Sequence, residues 1–319
     1  MRAWARLQAW FLGLNEDALG PAGLVALGGA YVTAGQVERA MLLLHEALQR
    51  HPTSAPLHFE AGRAARAKGL VDQARARFAH AAALAPDDAT YRFAFAWALH
   101  EEKRHEEAVF QYYETLAVAP DEPRVLFNLA VLERDLGRPA TALKLLDRLV
   151  ARAPKDGRAW YTKGVVHYER RELEPARLAF ERALSRRPNH ARTLYQLGAV
   201  HLASGRSAEA EAYLRKALLR RPDFAAAHFA LGRALIERDL VRAMFHLREA
   251  LLVPEPARVA HLELARLHER AGRLSDAASE VRAFLRAEPD APEAPGARRH
   301  LARLEEALDA ARGRFGGLA

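Results

Sequence analysis

Hydrophobic and polar positions recur along this chain with two superposed periods. The short one is helical. Leu194, Leu197, Gly198 and His201 share one face, and after a break Ala210, Leu214, Ala217 and Leu218 share another. That spacing describes two amphipathic helices in succession. The long period is 34 residues, kept by Ala40, Ala74, Ala108, Ala142, Ala176 and Ala210. Pro52, Pro86, Pro120, Pro154, Pro188 and Pro222 keep the same step, and a third column holds only glycine or alanine from Gly28 to Gly232. A fixed period of this size is the signature of a helical solenoid, in which each unit packs only on its neighbours.

The pattern divides into eight units: 21–54, 55–88, 89–122, 123–156, 157–190, 191–224, 225–257 and 258–291. Each is expected to be two helices. A glycine often stands at the fifteenth place between them, as at Gly35, Gly69, Gly137, Gly205 and Gly272, where a left-handed residue ends a helix. The second helix should stop before the proline, because α geometry is disfavoured at the preceding residue. The seventh unit is one residue short, and the register of Ala243 and Ala250 places that deletion in the turn. The eighth place is always Gly or Ala and the twentieth always Ala, so the paired helices are expected to approach closely there. A leucine at either place would overpack by about 1–3 kcal/mol.

The ends depart from the repeat. Trp4, Leu7, Phe11 and Leu14 outline an amphipathic helix within 1–20, expected to cap the first unit, with a membrane-surface helix as the alternative. A last helix is expected from about Ala297, with Leu301, Leu304 and Leu308 inward and Arg299, Arg303 and Glu306 outward. It would close the far end within 292–319, leaving a frayed tail from Gly313.

Composition narrows the class. Hydrophobic residues make up 50% of the chain, ample for burial. Net charge is +8, and only six of the 48 Lys+Arg are lysine. That balance favours acidic partners weakly, with nucleic acid as a less favoured alternative. Cysteine is absent, which excludes disulfides, thiolate catalysis and Cys-ligated zinc. No apolar run approaches the roughly 18 residues of a membrane span, so the expected setting is soluble and cytoplasmic.

The unit resembles the tetratricopeptide repeat (TPR), a 34-residue helix–turn–helix. The fifth unit carries the likeness in Trp160, Gly164, Tyr168, Ala176, Phe180, Ala183 and Pro188. The resemblance extends over 21–291. It implies an all-α, right-handed superhelical α-solenoid with capping helices at both ends. It also implies a non-enzymatic scaffold whose first helices line a concave groove for a partner protein or extended peptide.

Within that implied groove the fifth place reads Phe59, Phe93, Phe127, Tyr161, Tyr195 and Phe229, an aromatic ladder suited to binding. The alternative is that these rings are inherited packing. Arg124, Arg158 and Arg192 hold the second place, where a cation opposes the helix dipole. Glu101, Asp135, Glu169 and Glu237 hold the thirteenth. A basic and an acidic edge flanking an aromatic floor would suit an extended, mixed-charge peptide. Some members of the family clamp a chaperone's C-terminal carboxylate, and Asn128 and Arg158 match two places of that set. Phe93, Trp97 and Thr162 depart from it, so that activity is not expected.

Catalysis and cofactors are not expected. His100 and His105 resemble a zincin pair but stand five residues apart rather than four. His58, His228 and His261 occupy core-facing fourth places, and His167, His201 and His268 eleventh places, which points to packed histidines rather than a metal site. Phosphate-loop, dinucleotide and nucleophile-elbow motifs do not occur. Two other readings stay open: an Arg-driven nucleic-acid-binding repeat, and a structural module self-associating through residues 1–18.

Overall fold

The computed structural model describes residues 19–252 and 259–315. Residues 1–18 of the capping segment expected within 1–20, the boundary at 257/258 and the last residues of the expected tail lie outside them. The described residues form 17 α-helices and no strand. The chain divides into two compact units, Met1–Pro154 and Lys155–Ala319.

The first unit contains α1 (Pro21–Thr33), α2 (Val37–Arg50), α3 (Ala55–Ala67), α4 (Val71–Leu84), α5 (Ala89–Glu101), α6 (His105–Val118), α7 (Pro123–Asp135) and α8 (Pro139–Arg152). The second contains α9 (Gly157–Glu169), α10 (Leu173–Arg186), α11 (Ala191–Ala203), α12 (Ser207–Arg220), α13 (Ala225–Leu235), α14 (Leu240–Leu251), α15 (Ala260–Arg270), α16 (Leu274–Ala287) and α17 (Ala294–Phe315). Both are α-solenoid: each odd-numbered helix up to α15 pairs with the next, and pair stacks on pair. Leu24, Leu44 and Leu57 join one such core, and Leu194, Leu214, Leu231, Leu247 and Leu264 another.

The small columns lie where the paired helices touch. All eight twentieth-place alanines are buried, from Ala40 to Ala277. Facing them, a Cβ on Gly62 would come within 2.6 Å of the Phe78 ring, and one on Gly164 within 2.6 Å of Phe180. On Gly198 it would meet Leu214 at 2.5 Å and the carbonyl of Ala210 at 3.4 Å. The large residue at place 24 therefore lies over the glycine, while the backbone at place 20 passes alongside.

The turns follow from hydrogen-bond closure. The glycines at the fifteenth place have φ between 72° and 80°. At the first, Gly35 N–H donates to Val32 O (3.1 Å) and Gln36 N–H to Tyr31 O (2.9 Å), the paired closure of a Schellman motif. In the third and fifth repeats Lys103 (φ 59°) and Arg171 (φ 63°) take the same conformation, with the same two bonds, Lys103 N–H to His100 O and Arg104 N–H to Leu99 O, both 2.9 Å. The seventh connection differs: α13 ends at Leu235, and Asp239 caps α14 by accepting from Arg242 N–H at 3.0 Å. Second helices stop two residues before the column prolines, from Arg50 before Pro52 to Arg220 before Pro222, and the residue between leaves helical geometry, as at Ala119 (φ −130°, ψ 83°).

The last helix departs from expectation at both ends. It starts at Ala294, because Pro295 fits a first turn whose N–H groups have no helical partner. It continues through Gly313 to Phe315, where a frayed tail was expected. Leu304 is buried and Leu301 and Leu308 pack with it on Val281 and Phe284.

Two outcomes test this packing. Lys103→Gly and Arg171→Gly should each raise stability by about 1 kcal/mol, since a side chain is disfavoured at positive φ. Gly198→Leu should lower it by about 1–3 kcal/mol through overpacking. Urea unfolding followed by circular dichroism measures both.

Candidate partner-binding surface

The ladder residues sit five places into successive first helices, so one turn geometry repeated along the stack places each ring alike. All six are half-buried. In the first unit Phe59 packs on Phe78 (ring centroids 5.8 Å) and Tyr91 (5.0 Å), and Phe93 on Tyr112 (6.1 Å). In the second, Tyr161 meets Phe180 at 5.7 Å and His190 at 5.9 Å, and Tyr195 meets Phe224 at 5.0 Å. Arg233 lies over Phe229 at 5.9 Å. Part of each of these five rings is thus held by packing, and part is exposed.

The hydroxyl of Tyr195 is pushed up in pKa, first by burial and then by the phenols of Tyr168 and Tyr161. Tyr161 and Tyr168 of α9 and Tyr195 of α11 all pack against the cores of this unit. Tyr168 stands seven residues after Tyr161, on the same face of the same helix. The fifth-place column alone does not reveal it. Nor does that column include Trp97, four residues after Phe93, over which the guanidinium of Arg66 stacks at 4.9 Å.

The second-place arginines divide. Arg124 is paired with Glu122 (2.7 Å) and lies over the Phe93 ring (4.9 Å). Arg158 is paired with Asp156 (3.1 Å), whose carboxylate also accepts from Arg158 N–H at 2.9 Å. Partial burial pushes Asp156 up, but the bonds from Arg158 outweigh it and hold the carboxyl below its usual range. The dipole conflict expected at these arginines is thus offset by an acid two residues earlier. Arg192 is exposed; with Arg187, and after burial, it helps hold His190 down in pKa. Asn128 is half-buried on α7. At the thirteenth place Asp135 pairs with Arg134 (2.6 Å) and Glu237 with Arg270 (3.0 Å). Thr162 is buried, so its side chain gives little to a ligand.

The fourth-place histidines of the second and seventh repeats are packing groups with defined bonds. His58 Nε2–H donates to Pro52 O and His228 Nε2–H to Pro222 O, both at 2.9 Å, so fourth-place rings satisfy the carbonyl that the helix-ending proline leaves open. Arg92 does the same for Pro86 O. His228 Nδ1 then accepts from His246 Nδ1–H at 3.0 Å. His100 and His105 lie on α5 and α6 with rings 5.9 Å apart. Among the described residues no group of three or more His, Cys, Asp or Glu is arranged to hold a metal.

Two family models described as tetratricopeptide repeat match the chain, one at residues 127–191 and the other at 31–94 and 168–235. The chain belongs to the tetratricopeptide-repeat family, and as such is a helical-repeat scaffold for protein interaction. No curated protein matches it. Among solved structures it is similar to a tetratricopeptide repeat protein from Parabacteroides merdae, at 19% identity and TM-score 0.58, over 77% of this chain and 98% of that one. It is similar to Pseudomonas aeruginosa PilF at 20% identity and TM-score 0.57, over 66% and 97%. A third is YrrB, described as a TPR protein with an unusual peptide-binding site, at 20% identity and TM-score 0.51, over 58% and 95%. At these identities the likeness is one of fold. No described helix is long and apolar enough to cross a membrane.

The histidine pair gives a pH test. Burial, with the neighbouring His228 next, pulls His246 from 6.5 down to about 4. The unfolded chain therefore takes up this proton first, and stability present above about pH 6.5 is lost as pH falls toward 4. His246→Gln should flatten part of that fall, as read from thermal midpoints across the window.

Proposed function

We propose that the chain holds extended segments of a partner protein along the outward faces of the first helices within each of its two units, without catalysis. The observation that carries the reading is the half-burial of all six ladder rings. Rings fixed on one side by packing present rigid apolar area at low entropic cost. Tyr168 and Trp97, on the same helix faces, extend the floor. Arg192 supplies an exposed guanidinium suited to a carboxylate of the segment. The peptide-binding site named for YrrB is in keeping with this use of the fold.

Nucleic acid fits less well, because Arg124 and Arg158 already hold carboxylates of the chain itself and leave no continuous basic track for a phosphate backbone. A cytoplasmic location belongs to the same proposal.

Replacing Phe127, Tyr161 and Tyr195 together by alanine tests it. Partner affinity should fall by at least tenfold, since one such anchor contributes about 2 kcal/mol or more. Helicity should remain that of the wild type. Undiminished capture by a folded triple variant would overturn the proposal.

A further inference from the structure

The outward face of the second helices in the second unit carries a different surface. Val241 and Phe245 on α14 and Leu252, the residue that caps its C-terminal end, are 80%, 54% and 74% exposed, and Leu219 near the end of α12 is 76% exposed. Val241, Phe245, Arg248 and Leu252 follow each other at i, i+4, i+7 and i+11, one stripe along α14. Both helices pack into one core, in which Tyr213 and Leu218 of α12 and Ala243 and Leu247 of α14 take part. Arg238, just before α14, donates to Glu211 of α12 at 3.0 Å.

The polar residues between these apolar tips are cationic. Arg215, Lys216, Arg220 and Arg248 are exposed along the C-terminal halves of α12 and α14. Arg242 adds a charge partly offset by Asp239 at 3.2 Å. The acids nearby contribute little: Glu211 is held by Arg215 and Arg238 at 2.8 Å and 3.0 Å, Glu249 is half-buried, and Glu209 lies in the first turn of α12, away from Leu219. Apolar tips interleaved with long cationic side chains match the boundary between acyl chains and anionic headgroups. There the tips enter the acyl region while guanidinium and ammonium groups reach the phosphates.

We propose that this face of α12 and α14 docks on an anionic lipid surface. A second copy is a poorer occupant. The same face on a copy would present like charge. The other outward face with large exposed rings, Phe110 and Tyr113 on α6, has its acids Glu106, Glu107 and Glu114 already paired with Arg138, Arg104 and Arg92. The surface is separate from the first-helix face that carries the proposed partner site.

The test is sedimentation of the full chain with vesicles of phosphatidylcholine and phosphatidylserine at about 7:3, against phosphatidylcholine alone. The wild type should pellet with the anionic vesicles, and lose binding as salt rises from about 0.1 to 1 M and the screening length falls from about 10 to 3 Å. F245S/L252S should weaken partitioning by at least about tenfold, and R220E/R248E should do so without removing any apolar side chain. F110S, equally exposed but set among acids, should bind as the wild type. Circular dichroism of each variant separates lost binding from lost fold, and R220E/R248E decides if F245S/L252S unfolds. Equal pelleting with both vesicle types, no pelleting at all (as a face made for an acidic protein would give), or loss in F110S matching that in F245S/L252S would overturn the proposal.

Discussion

The close approach of two helices at the eighth and twentieth places sets the rest of the structure. With glycine or alanine on one helix and alanine on the other, the backbones pass near enough for the large residue at place 24 to lie across the gap, as Phe78 does on Gly62 and Leu214 on Gly198. That contact fixes how each helix is turned. One flank of the first helix is committed to its partner and another to the next pair. The flank bearing places 5, 9 and 12 remains open, and there Phe93, Trp97, Tyr161 and Tyr168 are half-buried rather than enclosed.

Features that rest on local chemistry were legible in the sequence. The Ala and Gly columns, the helix-ending prolines and the left-handed glycines each depend on contacts a few residues away or one repeat away, so spacing alone placed them. Lys103 and Arg171 were not legible as turn residues, because side-chain preference argues against positive φ. The two closing hydrogen bonds impose the conformation regardless. The start of α17 departs for a related reason: three prolines within seven residues, Pro289, Pro292 and Pro295, read as a break, whereas the third sits in a first turn. Partners distant in sequence stayed hidden, such as Arg66 over Trp97 or His246 on His228. The acids beside Arg124 and Arg158 were in plain view two residues earlier, and their presence tempers a basic edge inferred from arginine alone.

Two kinds of outward surface follow from one repeat. The first helices present rings that are anchored at one side, a surface suited to an extended chain. The second helices present polar residues over most of their outward faces. Exposed apolar side chains also occur on others, as at Leu42, Phe110 and Leu178, but on α12 and α14 Leu219, Val241, Phe245 and Leu252 stand among cations. A scaffold with a peptide-holding face and a separate headgroup-facing one could hold its partner beside a membrane without crossing it.

The central claim, that helix pairing leaves the first-helix flanks as the working surface, is tested most directly by hydrogen–deuterium exchange on the chain with and without a captured partner. The account predicts new protection in α3, α5, α7, α9, α11 and α13. Protection confined to the second helices α4, α6, α8, α10 and α12 would contradict it.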